Sequence, residues 1–245
     1  MNTAQALELV HNYGCRVFEA EHFVYKSGMH GPAYINVDPV LYKPSAIEAI
    51  AKLLAEPYLP FADDEIEVVA DPAVGAIPFG HDTAQALTQG YQPYYKMMYD
   101  YQSAKRTFGV LHVFAEKHKQ PDGSETFQLD RTGFAEVCKG KNVLVVEDIL
   151  NSGTSTRGVI ECVRAAGGIV IGVSCFVNRG GVTAESLSVN QLNAIIDINM
   201  VQYEASGCPL CQSNVPIVAD AALGKGSDFA EKHPDYVGGF KYLLD

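Results

Sequence analysis

Two adjacent acids, Glu147 and Asp148, follow a run of apolar residues in the segment V-L-V-V-E-D-I-L-N-S-G-T-S-T-R-G at 143–158. The apolar run is typical of a buried strand, the small-residue turn 151–155 comes next, and a helical pattern begins at about Ser155. The first N–H groups of a helix have no partner within the helix and attract phosphate. Two carboxylates beside such a turn favour a ligand that carries both a phosphate and vicinal hydroxyls, or a metal ion. A phosphorylated sugar meets that description.

Two other nucleotide-binding architectures are disfavoured by motifs that the sequence lacks. No G-x-x-x-x-G-K-[ST] motif occurs, which disfavours a P-loop NTPase. No G-x-G-x-x-G follows a predicted strand, which disfavours a dinucleotide-binding fold. The remaining alternative is an ordinary strand-to-helix turn in which Asp148 caps the helix.

Two further strand ends carry residues that suit a charged, phosphorylated substrate. The segment D-P-A-V-G-A-I-P at 71–78 ends an apolar strand in an acid and a small-residue turn. Such a turn leaves backbone N–H groups free to bind a diphosphate, although a plain strand-to-helix turn is the alternative. Arg179, followed by two glycines at another predicted strand end, can pair with a carboxylate or a carbonyl edge. A surface ion pair is the alternative for this arginine.

A basic cluster, K-H-K at 117–119, ends another predicted strand and precedes a polar tip that contains P-D-G at 121–123. Pro, Asp and Gly together predict a turn. A mobile loop that carries cations suits a diphosphate leaving group, because it can exclude water and place positive charge where the transition state needs it. A solvated β-hairpin is the alternative.

The spacing of apolar residues predicts strands and helices that alternate along the chain. Several predicted strands are continuous apolar runs, which are typical of parallel strands covered on both faces by helices. The fold class is therefore α/β, with an open, mostly parallel twisted sheet flanked by helices, and such sheets bind ligands at the carboxyl ends of their strands. The predicted helices are at about 3–13, 44–56, 77–89 and 155–166. The predicted strands are 67–70, 94–98, 110–116, 142–147, 170–177 and 194–198.

The two ends of the chain do not follow this alternation. Residues 15–42 predict short extended pieces joined by turns, and the C-terminal stretch 205–245 is irregular and rich in Gly and Pro. We expect both ends to fold together as a small hood. The prediction is a single domain, 1–245, with a core at about 44–200 and a hood from about 1–43 and 201–245.

The composition argues against several classes of protein. The 245 residues carry a formal net charge of −11, and 47% of them are hydrophobic. A nucleic-acid-binding protein needs a basic face to neutralise phosphates, which this charge disfavours. No apolar run approaches the roughly 18 residues that span a membrane, and the N-terminus lacks the basic region and apolar block of a signal peptide. We therefore expect a cytoplasmic enzyme that binds neither nucleic acid nor membranes.

Of the six cysteines, only those of C-P-L-C at 208–211 have a spacing that suggests a function. A structural zinc ion would need two more ligands, and no second C-x-x-C occurs. His233 or another subunit would have to complete such a site. The preferred interpretation of the sequence is a reduced thiol pair in a turn.

Segment 143–158 closely resembles the phosphoribosyl diphosphate-binding motif of the type I phosphoribosyltransferases. Y-K-S-G-M-H-G-P-A-Y-I-N at 25–36 is similar to the N-terminal K-S-G…S-P-x-Y segment of the orotate phosphoribosyltransferases. The resemblance implies the type I phosphoribosyltransferase fold with its hood, and transfer of ribose 5-phosphate from phosphoribosyl diphosphate to orotate in pyrimidine nucleotide synthesis. Further segments match at 71–78, at 114–117 (F-A-E-K), at Arg179 and at 208–217 (C-P-L-C…P-I).

The resemblance also implies roles for individual residues. In that family the acid pair binds the ribose hydroxyls, and the turn that follows binds the 5-phosphate. The residues implied to bind phosphoribosyl diphosphate are Lys26, Ala73, Val74, Gly75, Glu147, Asp148, Asn151, Ser152, Gly153, Thr154 and Ser155. Those implied to bind orotate are Tyr34, Ile35, Asn151 and Arg179. The implied catalytic residues are Lys117, Lys119 and Asp148, with His118 as an alternative to Lys119.

The resemblance implies Mg²⁺ as the cofactor, held mainly through the substrate and not by protein ligands. It also implies a homodimer with shared active sites, since the basic loop of orotate enzymes covers the neighbouring subunit's site. The chain departs from the orotate pattern at Asn151, where the family usually has Thr, and at Gly31, Ala33 and Ala76. Two alternatives are a purine phosphoribosyltransferase of the same fold and a non-catalytic regulator that binds phosphoribosyl diphosphate. The net charge disfavours the regulator, which would need a basic nucleic-acid-binding face.

Overall fold

The computed structural model describes residues 8, 11–12, 14–59, 65–98, 109–123, 125–198 and 200–244, without the side chains of 94–98. The strands are β1 (Arg16–Phe18), β2 (Phe23–Val24), β3 (His30–Gly31), β4 (Tyr34–Asn36), β5 (Val68–Pro72), β6 (Leu111–Lys119), β7 (Glu125–Gln128), β8 (Asn142–Leu150), β9 (Ile169–Asn178), β10 (Leu192–Asp197), β11 (Ile217–Val218) and β12 (Phe240–Lys241). The helices are α1 (Asp38–Leu41), α2 (Pro44–Ala55), α3 (Ile77–Met98), α4 (Phe134–Cys138), α5 (Thr154–Ala165), α6 (Pro209–Gln212) and α7 (Gly226–Lys232). The predicted helix at about 3–13 falls almost entirely outside the described residues.

The chain divides into two compact units. The larger unit contains Lys43–Ile198, and the smaller unit contains Glu8–Tyr42 and Asn199–Asp245. Within the part of the chain that is described, no helix combines the length and the apolar character needed to cross a membrane. The single-domain arrangement of core and hood stays a prediction.

A six-stranded sheet forms the centre of the larger unit, with its strands in the order β10, β9, β8, β5, β6, β7. Neighbouring strands are parallel except for β6 and β7, which are antiparallel. Strands β5, β8 and β9 are largely buried, as expected for parallel strands with helices on both faces. The predicted open, mostly parallel sheet is confirmed. Two central strands run further than the sequence predicts, to Leu150 in β8 and to Asn178 in β9.

Helix α5 illustrates how the helices pack on the sheet. Its residues Val159, Ile160 and Val163 are at most 2% exposed. Their spacing of three and four places them on one helix face, which contacts β5, β8 and β9. Full burial of each such side chain contributes on the order of 1.5–3 kcal/mol. The predicted helices at 44–56 and 155–166 are confirmed to within one residue at each end.

Helix α3 corrects two predictions. The sequence predicts a helix end before Gly90 and a strand at 94–98, but α3 continues through both to Met98. A Cβ atom on Gly90 would lie 2.7 Å from Cδ1 of Leu59, so this glycine permits close packing and does not end the helix. Pro93 lies inside α3, where proline removes one N–H donor without always ending a helix. A short apolar run cannot by itself distinguish a strand from a helix.

The smaller unit is built from both ends of the described chain. β1 pairs with β4 and β2 with β3 in antiparallel fashion, whereas β11 and β12 are parallel. An isolated antiparallel bridge between His30 and Tyr203 ties the N-terminal segment to the C-terminal one. Phe23, Val218 and Leu223 are fully buried and pack in one cluster, so this unit has an apolar core of its own.

Candidate functional site

The acid pair lies within β8, near its carboxyl end, and successive side chains of a strand point to opposite faces. Glu147 is 5% exposed, and it accepts a hydrogen bond of 2.8 Å from Oγ1 of Thr156 on α5. Burial, and next the charge of Asp148, raise the pKa of Glu147 well above its usual value. Asp148 is half-buried and accepts a hydrogen bond of 2.7 Å from the N–H of Ile149. The structure thus separates a buried acid, bonded to the helix, from a partly exposed acid that can meet a ligand.

The turn between β8 and α5 is formed by 151–153, and Gly153 is the N-cap of the helix. Its φ of +72° is a left-handed value that favours glycine. Because the N-cap has no side chain, it cannot bond the first N–H groups of α5, which can face an anion. The hydroxyl oxygens of Ser152 and Thr154, both exposed residues, are 2.9 Å apart at this turn. The alternative in which Asp148 caps the helix is wrong, because the cap residue is Gly153.

The turn 73–76 after β5 lies beside the acid pair. β5 and β8 are parallel neighbours, so their carboxyl ends meet at the same edge of the sheet. A Cβ atom on Gly75 would overlap the carboxylate of Asp148, so the loop backbone passes directly over this acid. Val74 is 78% exposed at the tip of the loop, and the N–H of Ala73 donates a hydrogen bond of 2.9 Å to the carbonyl of Ala115. The structure therefore brings together two of the segments that the sequence singled out.

Arg179 follows β9 at the same edge. Its N–H donates a hydrogen bond of 2.9 Å to the carbonyl of Leu150 at the end of β8. A Cβ atom on Gly180 would overlap the carbonyl oxygen of Asn151, so only glycine allows the two turns to approach this closely. Arg179 and Asn151 are both half-buried, and their backbones are held next to each other. The arginine predicted to contact the acceptor base thus lies beside the turn predicted to bind the 5-phosphate of the phosphoribosyl group.

The basic segment forms an antiparallel hairpin of β6 and β7, with Lys117 opposite Phe127. Nζ of Lys117 donates a hydrogen bond of 2.8 Å to Oε2 of Glu125 and lies 5.6 Å from the centre of the Phe127 ring. Lys119 is exposed near the tip, and Nε2 of His118 lies 2.5 Å from Oδ2 of Asp130. The segment therefore has the form of a β-hairpin, which the sequence analysis gave as the alternative. The catalytic role of its cations stays a prediction.

The hairpin packs against the helix that follows the acid pair. A Cβ atom on Gly158 of α5 would overlap the Phe127 ring of β7, which shows how closely the two elements approach. Between them is a groove of about 420 Å³ whose lining includes Glu125, Thr154 and Arg157. Because Thr154 begins α5, the groove extends from the hairpin to the turn that precedes the helix.

Lys26, Tyr34 and Ile35 belong to the smaller unit. Lys26 is exposed in the turn between β2 and β3, where Gly28 has a φ of +83°. Tyr34 is half-buried and stacks on Tyr25 with 6.5 Å between the ring centres. Ile35 is 1% exposed, so its side chain is part of the interior. The ligand-binding roles of these residues stay predictions.

A pair formed by the buried Asp71 and the half-buried His112 was not identified from the sequence. Nε2 of His112 lies 2.5 Å from Oδ2 of Asp71, and the other carboxylate oxygen, Oδ1, is buried without a hydrogen-bond partner among the described residues. Burial raises the pKa of Asp71 to about 6, although His112 opposes this shift. His112 is the cross-strand neighbour of Val69, two residues before Asp71, so the register of β5 and β6 places both side chains on one face. The role of Thr156 was also not identified from the sequence, because only the packing of α5 on β8 shows that its hydroxyl reaches Glu147.

Asp71→Asn is expected to change how stability depends on pH. The carboxyl group has a pKa of 3.8 in its usual state and of about 6 in the folded protein. Between these values the folded protein keeps a proton that the unfolded chain has released, so this residue's contribution to the free energy of unfolding falls as the pH rises from about 4 to about 6. The fall is on the order of 2–3 kcal/mol, and asparagine removes it. Urea unfolding across this range measures it. A stability difference between the two proteins that stays constant, or changes in the opposite direction, contradicts the prediction.

The chain is similar to proteins of known class. Residues 36–204 match the model of the family described as phosphoribosyl transferase domain. An orotate phosphoribosyltransferase of Caldanaerobacter subterraneus is 32% identical over 208 residues, which cover 82% of this chain and 89% of that relative. The orotate phosphoribosyltransferase of Chlorobium phaeobacteroides is 31% identical over 219 residues, which cover 89% and 95%.

Solved structures are similar in fold. The crystal structure of orotate phosphoribosyltransferase from Aeropyrum pernix matches with a TM-score of 0.53 and 22% identity over 78% of this chain and 92% of that one. The Mycobacterium tuberculosis enzyme in complex with Fe(III) dicitrate matches with a TM-score of 0.52 and 19% identity over 80% and 95%. At these identities the likeness concerns the fold.

Proposed function

Because the chain belongs to the phosphoribosyltransferase family, we propose that it is an orotate phosphoribosyltransferase. It transfers ribose 5-phosphate from phosphoribosyl diphosphate to orotate and releases orotidine monophosphate and diphosphate. The observation that carries the proposal is the approach of the Gly75 loop to the Asp148 carboxylate, which lies one turn before the N-terminus of α5. Two relatives with this activity in their names cover 82% and 89% of the chain.

The phosphoribosyl group binds at the end of β8. The 5-phosphate accepts hydrogen bonds from the N–H groups of 151–155, and the positive end of the helix dipole stabilises its charge. Asp148 accepts hydrogen bonds from the ribose hydroxyls. Glu147 is buried and leaves little surface for a ligand. It supports the site instead through its hydrogen bond with Thr156, which joins β8 to α5.

The diphosphate binds over the loop 73–75, where small residues let it approach the backbone. Mg²⁺ fits this place, because it prefers oxygen ligands, keeps several from substrate and water, and would find the half-buried carboxylate of Asp148 facing the loop. When bound, it would neutralise charge on the leaving diphosphate. The protein itself orients the sugar between the acid and the loop, so that the bond to the diphosphate is exposed to the acceptor.

Lys117 and Lys119 stabilise the negative charge that develops on the diphosphate as its bond to the sugar breaks. Lys117 is paired with Glu125 in the structure, and a diphosphate offers it a more highly charged partner. By the same proposal the protein is a homodimer, in which the hairpin of one subunit reaches the site of the other. Arg179 pairs with the carboxylate of the acceptor.

Gly75→Ala is expected to lower kcat/KM about tenfold. The added methyl group occupies the space of the Asp148 carboxylate. This side chain can turn away, but it then no longer faces the ribose and the loop, and a displacement of that size costs catalysis. Steady-state kinetics with both substrates measure the loss. Gly109→Ala is the matched control, since its Cβ atom would meet nothing closer than 3.8 Å. Equal losses in the two variants would contradict the assignment.

The activity is tested by the ultraviolet absorbance of orotate after addition of phosphoribosyl diphosphate and Mg²⁺. The proposal expects absorbance to fall with orotate and not with adenine, guanine or hypoxanthine supplied in its place. Consumption of a purine with orotate unchanged would establish the purine alternative. Binding of phosphoribosyl diphosphate by calorimetry, with no base consumed, would favour the regulator.

A further inference from the structure

Four side chains with metal-binding groups meet inside the smaller unit: His22, His30, Cys208 and Cys211. His22 directly precedes β2, His30 begins β3, and the two cysteines lie at the start of α6. Their ligand atoms are all within 4.8 Å of one another. Three of these residues are at most 1% exposed, and Cys211 is half-buried. The fold therefore assembles two nitrogen and two sulfur donors from the two ends of the chain.

The distances between these donors match the edges of a tetrahedron around one ion. Bonds of about 2.0–2.1 Å from zinc to nitrogen and about 2.3 Å to sulfur give edges of about 3.3 Å between nitrogens and about 3.6 Å between nitrogen and sulfur. Nε2 of His22 lies 3.0 Å from Nδ1 of His30 and 3.7 Å from each of the two sulfurs. Sγ of Cys211 lies 3.3 Å from Nδ1 of His30. Each of these four edges is within about 0.4 Å of the tetrahedral value.

The orientation of His22 is set by a hydrogen bond outside the cluster. Its Nδ1 lies 2.9 Å from the carbonyl oxygen of Val215, so Nδ1–H donates there and the lone pair of Nε2 points to the other donors. The hydroxyl of Tyr236 donates to the same oxygen over 2.9 Å and fixes its position. Such a support for a histidine ligand is usual in metal sites.

We propose that His22, His30, Cys208 and Cys211 bind a structural zinc ion. Two thiolates and two imidazoles form one of the usual ligand sets of structural zinc, and C-x-x-C is one of its usual spacings. The four protein donors complete a tetrahedron, which leaves no position for water or substrate. The ion thus serves the fold of the smaller unit and takes no part in the transfer reaction.

The reduced thiol pair that the sequence favours explains fewer of these observations. A thiol pair in a turn does not need two buried histidines at 3.3–3.7 Å from its sulfurs, whereas a zinc site does. His233, which the sequence suggested as a further ligand, is exposed and lies outside the cluster. The ligands are instead two histidines that lie 189 and 181 positions before Cys211.

Zinc binding would join the β2–β3 hairpin to α6. These elements are far apart in the chain, so the four ligands come together only in the folded unit, and the free energy of zinc binding adds to the free energy of folding. We expect removal of zinc by a chelator to lower the unfolding temperature of the smaller unit. The zinc ion takes no direct part in the chemistry of the transfer reaction.

The test is elemental analysis of the full-length protein purified from zinc-supplemented medium, with cobalt substitution as a second measurement. We expect about one zinc ion per chain, and in the cobalt protein the intense visible bands of a tetrahedral site with thiolate-to-metal charge transfer. Cys211→Ser and His30→Asn should each reduce zinc to below about 0.2 per chain and abolish the cobalt bands. Both measurements are independent of orotate turnover, so the failure of one proposal is distinguishable from the failure of the other.

Matched controls are Cys162→Ser and His233→Asn, which change the same residue types outside the cluster and should keep about one zinc ion per chain. Wild-type protein that contains no zinc and yields no tetrahedral cobalt spectrum would overturn the proposal. Full zinc content in both cluster variants would overturn it equally, since the ion would then bind elsewhere. If a cluster variant does not fold, the cobalt spectrum of the unmodified protein still decides.

Discussion

Asp148→Asn is expected to lower kcat/KM for orotate by about 10²–10³-fold, the range observed when one preorganised electrostatic contact of a transition state is lost. Asparagine keeps the shape of the side chain but not its charge. The partly exposed carboxylate of Asp148 faces the Gly75 loop. In the proposed function it accepts hydrogen bonds from the ribose hydroxyls, and diphosphate and Mg²⁺ bind over that loop. Most of the loss should appear in kcat, because the charge is needed most as the sugar becomes cationic.

The same substitution should not lower stability. The charge of Asp148 raises the pKa of Glu147, which means that the two acids repel each other in the folded state. Removal of one charge relieves that repulsion, so the free energy of unfolding should be unchanged or slightly higher. Asp197→Asn is the matched control, because it changes an exposed acid at the end of β10 in the same sheet. Activity of Asp148→Asn equal to that of this control at saturating substrate would remove the assigned site.

Lys117→Ala is expected to lower kcat by about 10²-fold, with a smaller change in KM. In the proposed function the lysine stabilises charge on the departing diphosphate, which is greater in the transition state than in the bound substrate. Its removal also frees Glu125 from its ion pair, and that pair is half-exposed and contributes little to stability. Lys139→Ala, at an exposed position of the same unit, is the matched control and should retain full activity.

Mixing the two inactive proteins tests whether the hairpin acts across a homodimer. After dissociation and reassociation at equal amounts, half of the dimers contain one Lys117→Ala chain and one Asp148→Asn chain. One of the two sites in each such dimer then has both native residues, so activity should recover to about a quarter of the wild-type value. Native mass spectrometry, which separates the mixed dimer from the two homodimers by mass, confirms that mixed dimers have formed. Mixed dimers without recovered activity would show that the lysine serves the site of its own subunit.

The local parts of the site could be predicted from the sequence. The apolar run of β8, the turn at 151–153 and the start of α5 are consecutive, so hydrophobic pattern and turn chemistry suffice to place them. The meeting of this segment with the Gly75 loop follows from the parallel sheet, because carboxyl ends of parallel strands share an edge. The burial difference between Glu147 and Asp148 could not be predicted, since both are acids in one motif and only the packing of α5 distinguishes them.

Contacts between distant segments could not be predicted. The Asp71–His112 pair depends on the register of two strands, which the sequence does not specify to the residue. The cluster of His22 and His30 with the C-P-L-C cysteines depends on how the two chain ends fold together. The end of α3 was misplaced because Gly90 looks like a helix end, whereas its packing against Leu59 requires a glycine there.

The contact of Gly158 with Phe127 has a mechanical consequence for the hairpin. Phe127 of β7 packs against Gly158 of α5 with no space for even a methyl group between them. We therefore expect this end of the hairpin to be held in place by α5, whereas its tip is not. Lys117 lies opposite Phe127, at the end that packs on α5, whereas Lys119 lies near the tip of the hairpin beside the turn at Gly123. If the tip of the hairpin moves over a substrate, we expect Lys119 to move with it and Lys117 to keep its position. One of the two cations would then be mobile and the other fixed.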